Sequence, residues 1–273
     1  MSNPGTVTGQ AIAARGLDTA VPNVARIYDC LLGGKDNFQA DRDAAAEVMR
    51  QIPNSAVACR DNRAFLGRAV HYLAAEKGVR QFIDIGSGLP TARNVHEIAQ
   101  HASPHARVVY ADYDPVVIMH ARAILEARSS GLLAVEADLR TPGQITGNPD
   151  VRRLIDFSQP VAILLFAVLH FLPGTGQPYE ITRDLTHATA PGSYLALSHI
   201  TDEQVPQASS SAAQQVYQRA SAPAVPRTRQ AITRFFDGLE LTGPGVTDIN
   251  LWPARSARPA TPLALYGGVA RKP

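Results

Sequence analysis

Apolar residues first recur at helical spacing at Val24, Ile27, Leu31 and Leu32, and Gly33-Gly34 then stops the run. The Ala-rich stretch 41–51 predicts a second helix, which Pro53-Asn54 breaks. A third, over 61–77, carries Phe65, Leu66, Ala69, Val70 and Leu73 as one stripe, with Gly78 just past its end. The period then switches repeatedly. Strands are expected at 81–85, 107–111, 132–137, 161–169 and 193–199, and helices at 91–101, 115–127, 148–155 and 179–189. The run from Val161 to Leu169 is apolar at every position, as for a central strand covered on both faces. Successive strand-then-helix units predict a parallel sheet with helices on both sides. Farther on, 202–219 and 228–236 read as helices, and 239–242 and 263–270 as strands, with Trp252 in the terminal hairpin between them.

Composition narrows the class. The 273 residues are 45% hydrophobic and 18% charged, with a net charge of +2. That is an ordinary globular balance, without the basic excess of a nucleic-acid binder. Cys30 and Cys59 are too few for a thiolate zinc site or a disulfide scaffold. The longest apolar run is far shorter than a bilayer span, which needs about 20 residues. Residues 1–20 lack a signal-peptide layout and read as a flexible tail. The expectation is a cytoplasmic enzyme or ligand binder.

The chemistry concentrates at strand ends. In Asp84-Ile85-Gly86-Ser87-Gly88, Gly86 and Gly88 allow a tight turn and a close approach of backbone to ligand. Thr91 stands where a dinucleotide fingerprint would place its third glycine, and Asp84 suits a cationic ligand better than a pyrophosphate. Asp112, followed by Tyr113, ends the second strand 24 residues after Gly88. There a carboxylate can accept both hydrogens of a ribose diol, a feature shared by NAD and S-adenosylmethionine sites. Asp138, followed by Leu139, ends the third strand, where it can accept from an adenine amino group. A carboxylate at a strand end can also simply cap the next helix.

These three carboxylates, in order after a Gly-x-Gly, resemble the class I S-adenosylmethionine-dependent methyltransferases. Residues 162–173 (AILLFAVLHFLP), including Phe166, resemble that group's fourth-strand motif. A narrower resemblance spans nearly the whole chain. Residues 22–29 (PNVARIYD), 31–38 (LLGGKDNF), 62–66 (NRAFL), 235–239 (FFDGL) and 267–270 (GGVA) look like the signature of an actinobacterial group known as the S-adenosyl methyltransferase family. The resemblance implies an α/β fold: a Rossmann-like, seven-stranded, mostly parallel sheet with helices on both faces and an antiparallel terminal strand. It implies S-adenosyl-L-methionine as cofactor, with no metal. It implies one methyltransferase domain over 21–273: an N-terminal helical cap at 21–79, a cofactor-binding core at 80–200, a helical insertion at 201–234 and a terminal β-hairpin at 235–273.

Under this reading Asp84, Gly86, Ser87, Gly88, Asp112, Tyr113, Asp138, Leu139 and Phe166 bind the cofactor. Tyr28 either packs beside it or belongs to the core stripe. Lys35, Asp36 and Asn37 form a polar cluster that can fold over it as a lid. Arg60 and Arg63 precede the third helix, where the helix dipole disfavours a cation and a carboxylate can recruit one. His170, just after the fourth strand, is the candidate general base, and His199 ends the fifth strand at the same edge. Each can equally be structural. The expected substrate is a small molecule with an oxygen or nitrogen acceptor, bound by a monomer or homodimer that engages neither nucleic acid nor membrane. A non-catalytic S-adenosylmethionine-binding regulator and an NAD-dependent oxidoreductase are the competing readings.

Overall fold

A computed structural model of the chain describes residues 18–90, 93–125, 131–253 and 265–273. The expected tail lies almost wholly outside these residues, as do the first residues of the 91–101 helix and of the last strand. Three helices lead: α1 (Val24–Leu31), α2 (Gln39–Gln51) and α3 (Ser55–His71), the last continued by a π turn at Tyr72–Glu76. Then β1 (Gln81–Ile85), α4 (Val95–Ala102), β2 (Arg107–Asp112), α5 (Pro115–Leu125) and β3 (Leu132–Glu136) alternate. Two short helices, α6 (Gly143–Thr146) and α7 (Pro149–Leu154), precede β4 (Ala162–Phe166), α8 (Gln177–His187) and β5 (Tyr194–Ile200). The last part contains α9 (Gln207–Gln218), α10 (Arg229–Thr233), β6 (Glu240–Leu241), β7 (Thr247–Asp248) and β8 (Leu265–Arg271).

Among the described residues the sheet has eight strands in the order β3-β2-β1-β4-β5-β8-β6, with β7 also on β8. β1 to β5 are parallel, and β8 runs antiparallel to β5, β6 and β7. The expected count was seven. The eighth strand is the two-residue β7, too short to produce any alternation in the sequence. The strand order reverses between β1 and β4, and the carboxyl-end crevice at such a reversal is where open α/β sheets bind ligands.

Strand side chains alternate between two cores. Phe82, Val108, Ala162 and Leu164 face one, with Phe65, Leu66 and Trp252. Ile83, Val109, Ile163 and Leu165 face the other, with Val151, Ile181 and Phe235. Burial on both faces explains the uninterrupted apolar run of β4. That strand nevertheless ends at Phe166, three residues before the run does. Ala167 adopts φ +53° and turns the chain, and Leu169–Phe171 form a 3-10 turn. Val168 stays apolar because it packs on Gly86, where a Cβ would come within 2.4 Å of Val168 Cγ2.

Two expectations need correction. The third helix starts at Ser55, six residues early, because Ala58 and Cys59 extend its buried face. Arg60 and Arg63 therefore lie inside α3, and the helix-terminus argument for them falls. Trp252 is not in a hairpin strand. It is fully buried, with its ring edge-on to Phe65 and Tyr72, and Arg68 donates to its carbonyl at 2.8 Å.

Candidate functional site

The carboxyl ends of β1, β2, β3 and β4 frame a cleft of about 430 Å³, within the usual range of small-molecule sites. Gly86, Ser87, Gly88, Asp112, Tyr113, Asp138, Leu139, Phe166 and Tyr28 all line it. Asp112 ties the strand ends together. One carboxylate oxygen accepts from Gly88 N at 3.0 Å, the other from Asp114 N at 3.0 Å. Asp112 is not the cap of α5, because Asp114 accepts from Val116 N at 2.8 Å and fills that role. Burial pushes the Asp112 carboxyl up to about 6, against the lowering effect of its backbone N–H partners. Asp138 is engaged by its neighbour. Arg140 Nε lies 2.8 Å and an Arg140 terminal nitrogen 2.6 Å from the same oxygen, which holds the carboxyl below its ordinary value.

Four residues predicted to bind the cofactor stand elsewhere. Asp84 and Arg63 line a recess of about 20 Å³ behind the glycine loop, together with Ser87 and Gly88. Burial and the nearby Asp112 raise Asp84 to about 7, while the Arg63 guanidinium pulls the other way. Lys35 is exposed and Asn37 half-buried, and neither lines the cleft. Asn37 instead donates to Asp29 at 2.8 Å, as does the Asp36 amide at 3.0 Å. Asp29 itself lines the cleft. Its carboxylate packs so tightly against Gly34 that a Cβ there would lie 2.0 Å from Asp29 Oδ1. The Gly-Gly stop is thus needed to seat an acid, and the polar cluster supports that acid from behind.

His170 lines a second cavity, of about 110 Å³. Val24, Tyr28, Asn62, Ala167 and Phe171 line both spaces. A hydrogen-bonded chain runs through this shared wall. Ala167 N donates to Ser198 Oγ at 3.0 Å, and Ser198 Oγ donates to Asn62 Oδ1 at 2.6 Å. Asn62 Nδ2 donates to the Tyr28 hydroxyl at 3.0 Å, which donates to the Cys59 carbonyl at 3.1 Å. Burial raises the Tyr28 phenol, so it stays protonated. His199 is not free to act as a base. Arg227 donates to its Nε2 at 2.8 Å, leaving Nδ1 to donate to the Ile200 carbonyl at 2.7 Å. Burial lowers it to about 3. Arg227 also donates to the carbonyls of Leu169, Leu172 and Gly174, and so clamps the loop after β4. Burial, with His199 and Arg227 nearby, drops His170 well below an ordinary histidine.

The helical cap and the insertion meet over the cleft. Ser221 N donates to the Pro22 carbonyl at 2.9 Å, and Ser221 Oγ accepts from Val24 N and the Tyr113 hydroxyl. Arg26, 2% exposed, donates to Asp41 at 2.8 Å and lies 3.6 Å from Asp114, pinning α1 to the start of α5. Asp29, Asn62, Ser198 and Arg26 had no assigned role in the sequence reading. Arg26, Asp29 and Asn62 fall inside the family-like segments 22–29 and 62–66, but the role of Asp29 depends on the close approach of Gly34, and those of Arg26 and Asn62 on partners far away in the chain, as Ser198's does.

The donor set fits S-adenosylmethionine. Asp29, Asp112 and Asp138 put three carboxylates in the cleft wall, against one arginine that is already paired. That balance suits a cation with a ribose diol and opposes a pyrophosphate. Ser87 Oγ, buried without a partner in the same wall, can serve a polar ligand atom.

A profile of the S-adenosyl methyltransferase family matches residues 10–273. A DUF574-family protein from Streptomyces avermitilis is 39% identical, with 94% of this chain and 99% of that one covered and a TM-score of 0.88. A provisionally assigned methyltransferase from Thermobifida fusca is 41% identical, covering 94% and 97%, at a TM-score of 0.85. An O-methyltransferase-family protein from Burkholderia thailandensis shares the fold alone, at 15% identity, 80% and 60% coverage and a TM-score of 0.50. No curated protein matches the chain. Among the described residues, no helix is long and apolar enough to cross a membrane.

Proposed function

The chain belongs to the S-adenosyl methyltransferase family and is an S-adenosylmethionine-dependent methyltransferase; we propose that its acceptor is a small molecule, methylated on oxygen or nitrogen. The observation that carries this reading is the wall shared by the two cavities, which puts a second space against the cleft. The bound cofactor supplies an electrophilic methyl group, so the transfer requires a nucleophile held in line rather than a metal. Orientation of that kind is worth roughly 7–11 kcal/mol.

The residues divide the work. Asp112 accepts from the ribose hydroxyls, and Gly86 to Gly88 let the backbone come close to the ligand. Asp29 and Asp112 supply negative charge toward the cationic end. Asp138 and Leu139 frame the base, with Arg140 competing for the Asp138 carboxylate. Tyr28, Asn62 and Ser198 use their hydrogen bonds on one another, so they position the wall rather than exchange protons. His170 carries a free lone pair at neutral pH because burial keeps it uncharged. It takes up the acceptor's proton. A base this weak suits an acceptor whose proton is already acidic.

Incubation of the full chain with methyl-labelled S-adenosylmethionine and a cell extract tests the assignment. Label should appear in a low-molecular-weight product with matching S-adenosylhomocysteine. Label confined to protein or nucleic acid, or no S-adenosylhomocysteine at all, would overturn it. His170→Gln should lower kcat far more than it alters KM.

A further inference from the structure

Three properties of the second cavity narrow what it holds. The first is size. Its volume is about 110 Å³, while an apolar cavity of about 150 Å³ accepts benzene. The space is thus on the scale of a single ring.

The second is charge. The wall is largely aliphatic, with Leu31, Val48, Ile52 and Val205 among its residues. Among the described residues it contains no lysine or arginine, and the one carboxylate there, Asp202, accepts from Ser210 Oγ at 3.2 Å. A carboxylate or phosphate on the occupant would meet no counter-charge and would lose its hydration without compensation.

The third is unmet hydrogen bonding. Ser55 Oγ and His170 Nδ1 are both buried without a partner, and both residues line this cavity. Their residues are 5% and 4% exposed. A buried polar atom left unpaired costs about 1–3 kcal/mol. One hydroxyl group can donate to an imidazole nitrogen and accept from a serine hydroxyl, relieving both. Tyr28 and Asn62, which also line this cavity, are already paired with each other.

From this geometry we infer that the second cavity is the acceptor site for an uncharged single-ring phenol, held by Ser55 and His170 and methylated where the cavity meets the cleft, among Tyr28, Asn62, Ala167 and Phe171. The inference rests on the methyltransferase reading of the larger cleft. An aromatic hydroxyl fits better than an aliphatic one, because it ionises near pH 10, as tyrosine does, and asks less of a weak base. In the transfer the phenol oxygen bonds to the methyl carbon, and the carbon–sulfur bond breaks with its electron pair on sulfur. The phenolic proton passes to His170 and then to solvent. The products are an aryl methyl ether and S-adenosylhomocysteine.

The test uses the full chain loaded with S-adenosylhomocysteine, titrated with phenol, cyclohexanol and benzoate. Phenol should bind at least tenfold more tightly than benzoate and more tightly than cyclohexanol. Ala213, 6% exposed in the cavity wall, offers a way to fill the space. Ala213→Phe should abolish phenol binding and leave S-adenosylhomocysteine affinity within twofold of the parent. Ser55→Ala, a smaller change, should weaken phenol several-fold with the same sparing of S-adenosylhomocysteine. A crystal soaked with 4-bromophenol should show anomalous bromine density inside the cavity, independently of whether any variant folds. Equal binding of benzoate and phenol, bromine located elsewhere, or no phenol binding to the loaded protein would overturn the acceptor assignment alone. Failure of S-adenosylhomocysteine itself to bind would instead overturn the reading on which it rests.

Discussion

The cleft and the smaller cavity share a wall but are assembled in opposite ways. The cleft is framed by the ends of β1, β2, β3 and β4, with part of α1 and residues 221–223 beside them, and two of its acids, Asp112 and Asp138, stand at or just past successive strand ends. The smaller cavity is made by α1, α2, α3, the turn after β4 and α9, segments separated by as much as the length of the core. Both linings are mostly apolar, but the described residues of the first carry three carboxylates, and those of the second carry one together with two unpaired neutral groups. Backbone geometry fixes the cleft. Side-chain packing between cap and insertion fixes the cavity, so residues that line it alone, such as Ser55 and Ala213, can vary without touching the cleft.

The largest expected effect is on the joint between the two. Arg26→Ala leaves Asp41 and Asp114 buried without their cation. Removing one partner of a buried pair costs about 3–5 kcal/mol. Denaturant unfolding should show a loss of that order, and a loss below about 1 kcal/mol would mean the carboxylates find water when the cap loosens. Next comes Asp112→Ala, which removes a charged acceptor from the cleft alone. Calorimetry should show S-adenosylhomocysteine weakened by roughly 1.5–3 kcal/mol, the usual worth of a hydrogen bond to a charged group. Phenol binding to protein saturated with S-adenosylhomocysteine should hardly change. If the Asp112 variant loses phenol as severely as S-adenosylhomocysteine, the two spaces are not separately built.

The same contrast explains what could be read from sequence. Gly86, Gly88, Asp112 and Asp138 are short-range features. A strand end, a glycine turn and a helix start put them at the sheet edge whatever the rest of the chain does. The parallel core was legible for the same reason, through alternating periods and the apolar β4. The cavity was not. Asn62 is one polar residue on a helix until Ser198, 136 positions away, donates to it. Arg227 looks like a loop cation until three carbonyls and His199 surround it. His170 was noticed as a base, but its neutral state depends on burial that no local pattern reports. The start of α3 was misplaced because Ser55 to Arg60 mixes small and polar residues. Their burial is decided by α1, α2 and α9.

The smallest effect, and the one that separates the two spaces most cleanly, is pH dependence. Burial raises Asp112 to about 6 and Asp84 to about 7. Both folded-state values lie above those of the unfolded chain, so the folded protein binds more protons between roughly pH 4 and 7. These two groups therefore favour the unliganded fold at low pH, and that contribution is lost as pH rises through 6 and 7. Asp84→Asn should remove part of this slope in melting temperature. Cofactor affinity should run the other way. Asp112 must be charged to attract a cation, so S-adenosylmethionine should bind more tightly at pH 7 than at pH 5, by at most about tenfold per pH unit for one proton. The smaller cavity should be indifferent. His170 is held far below the ordinary histidine range and keeps its neutral ring throughout. Phenol binding to the S-adenosylhomocysteine-loaded protein should be flat from pH 5 to 8. A phenol affinity that falls as pH drops through 6 would mean that His170 gains a proton there, and that the cavity is wetter than its apolar wall implies.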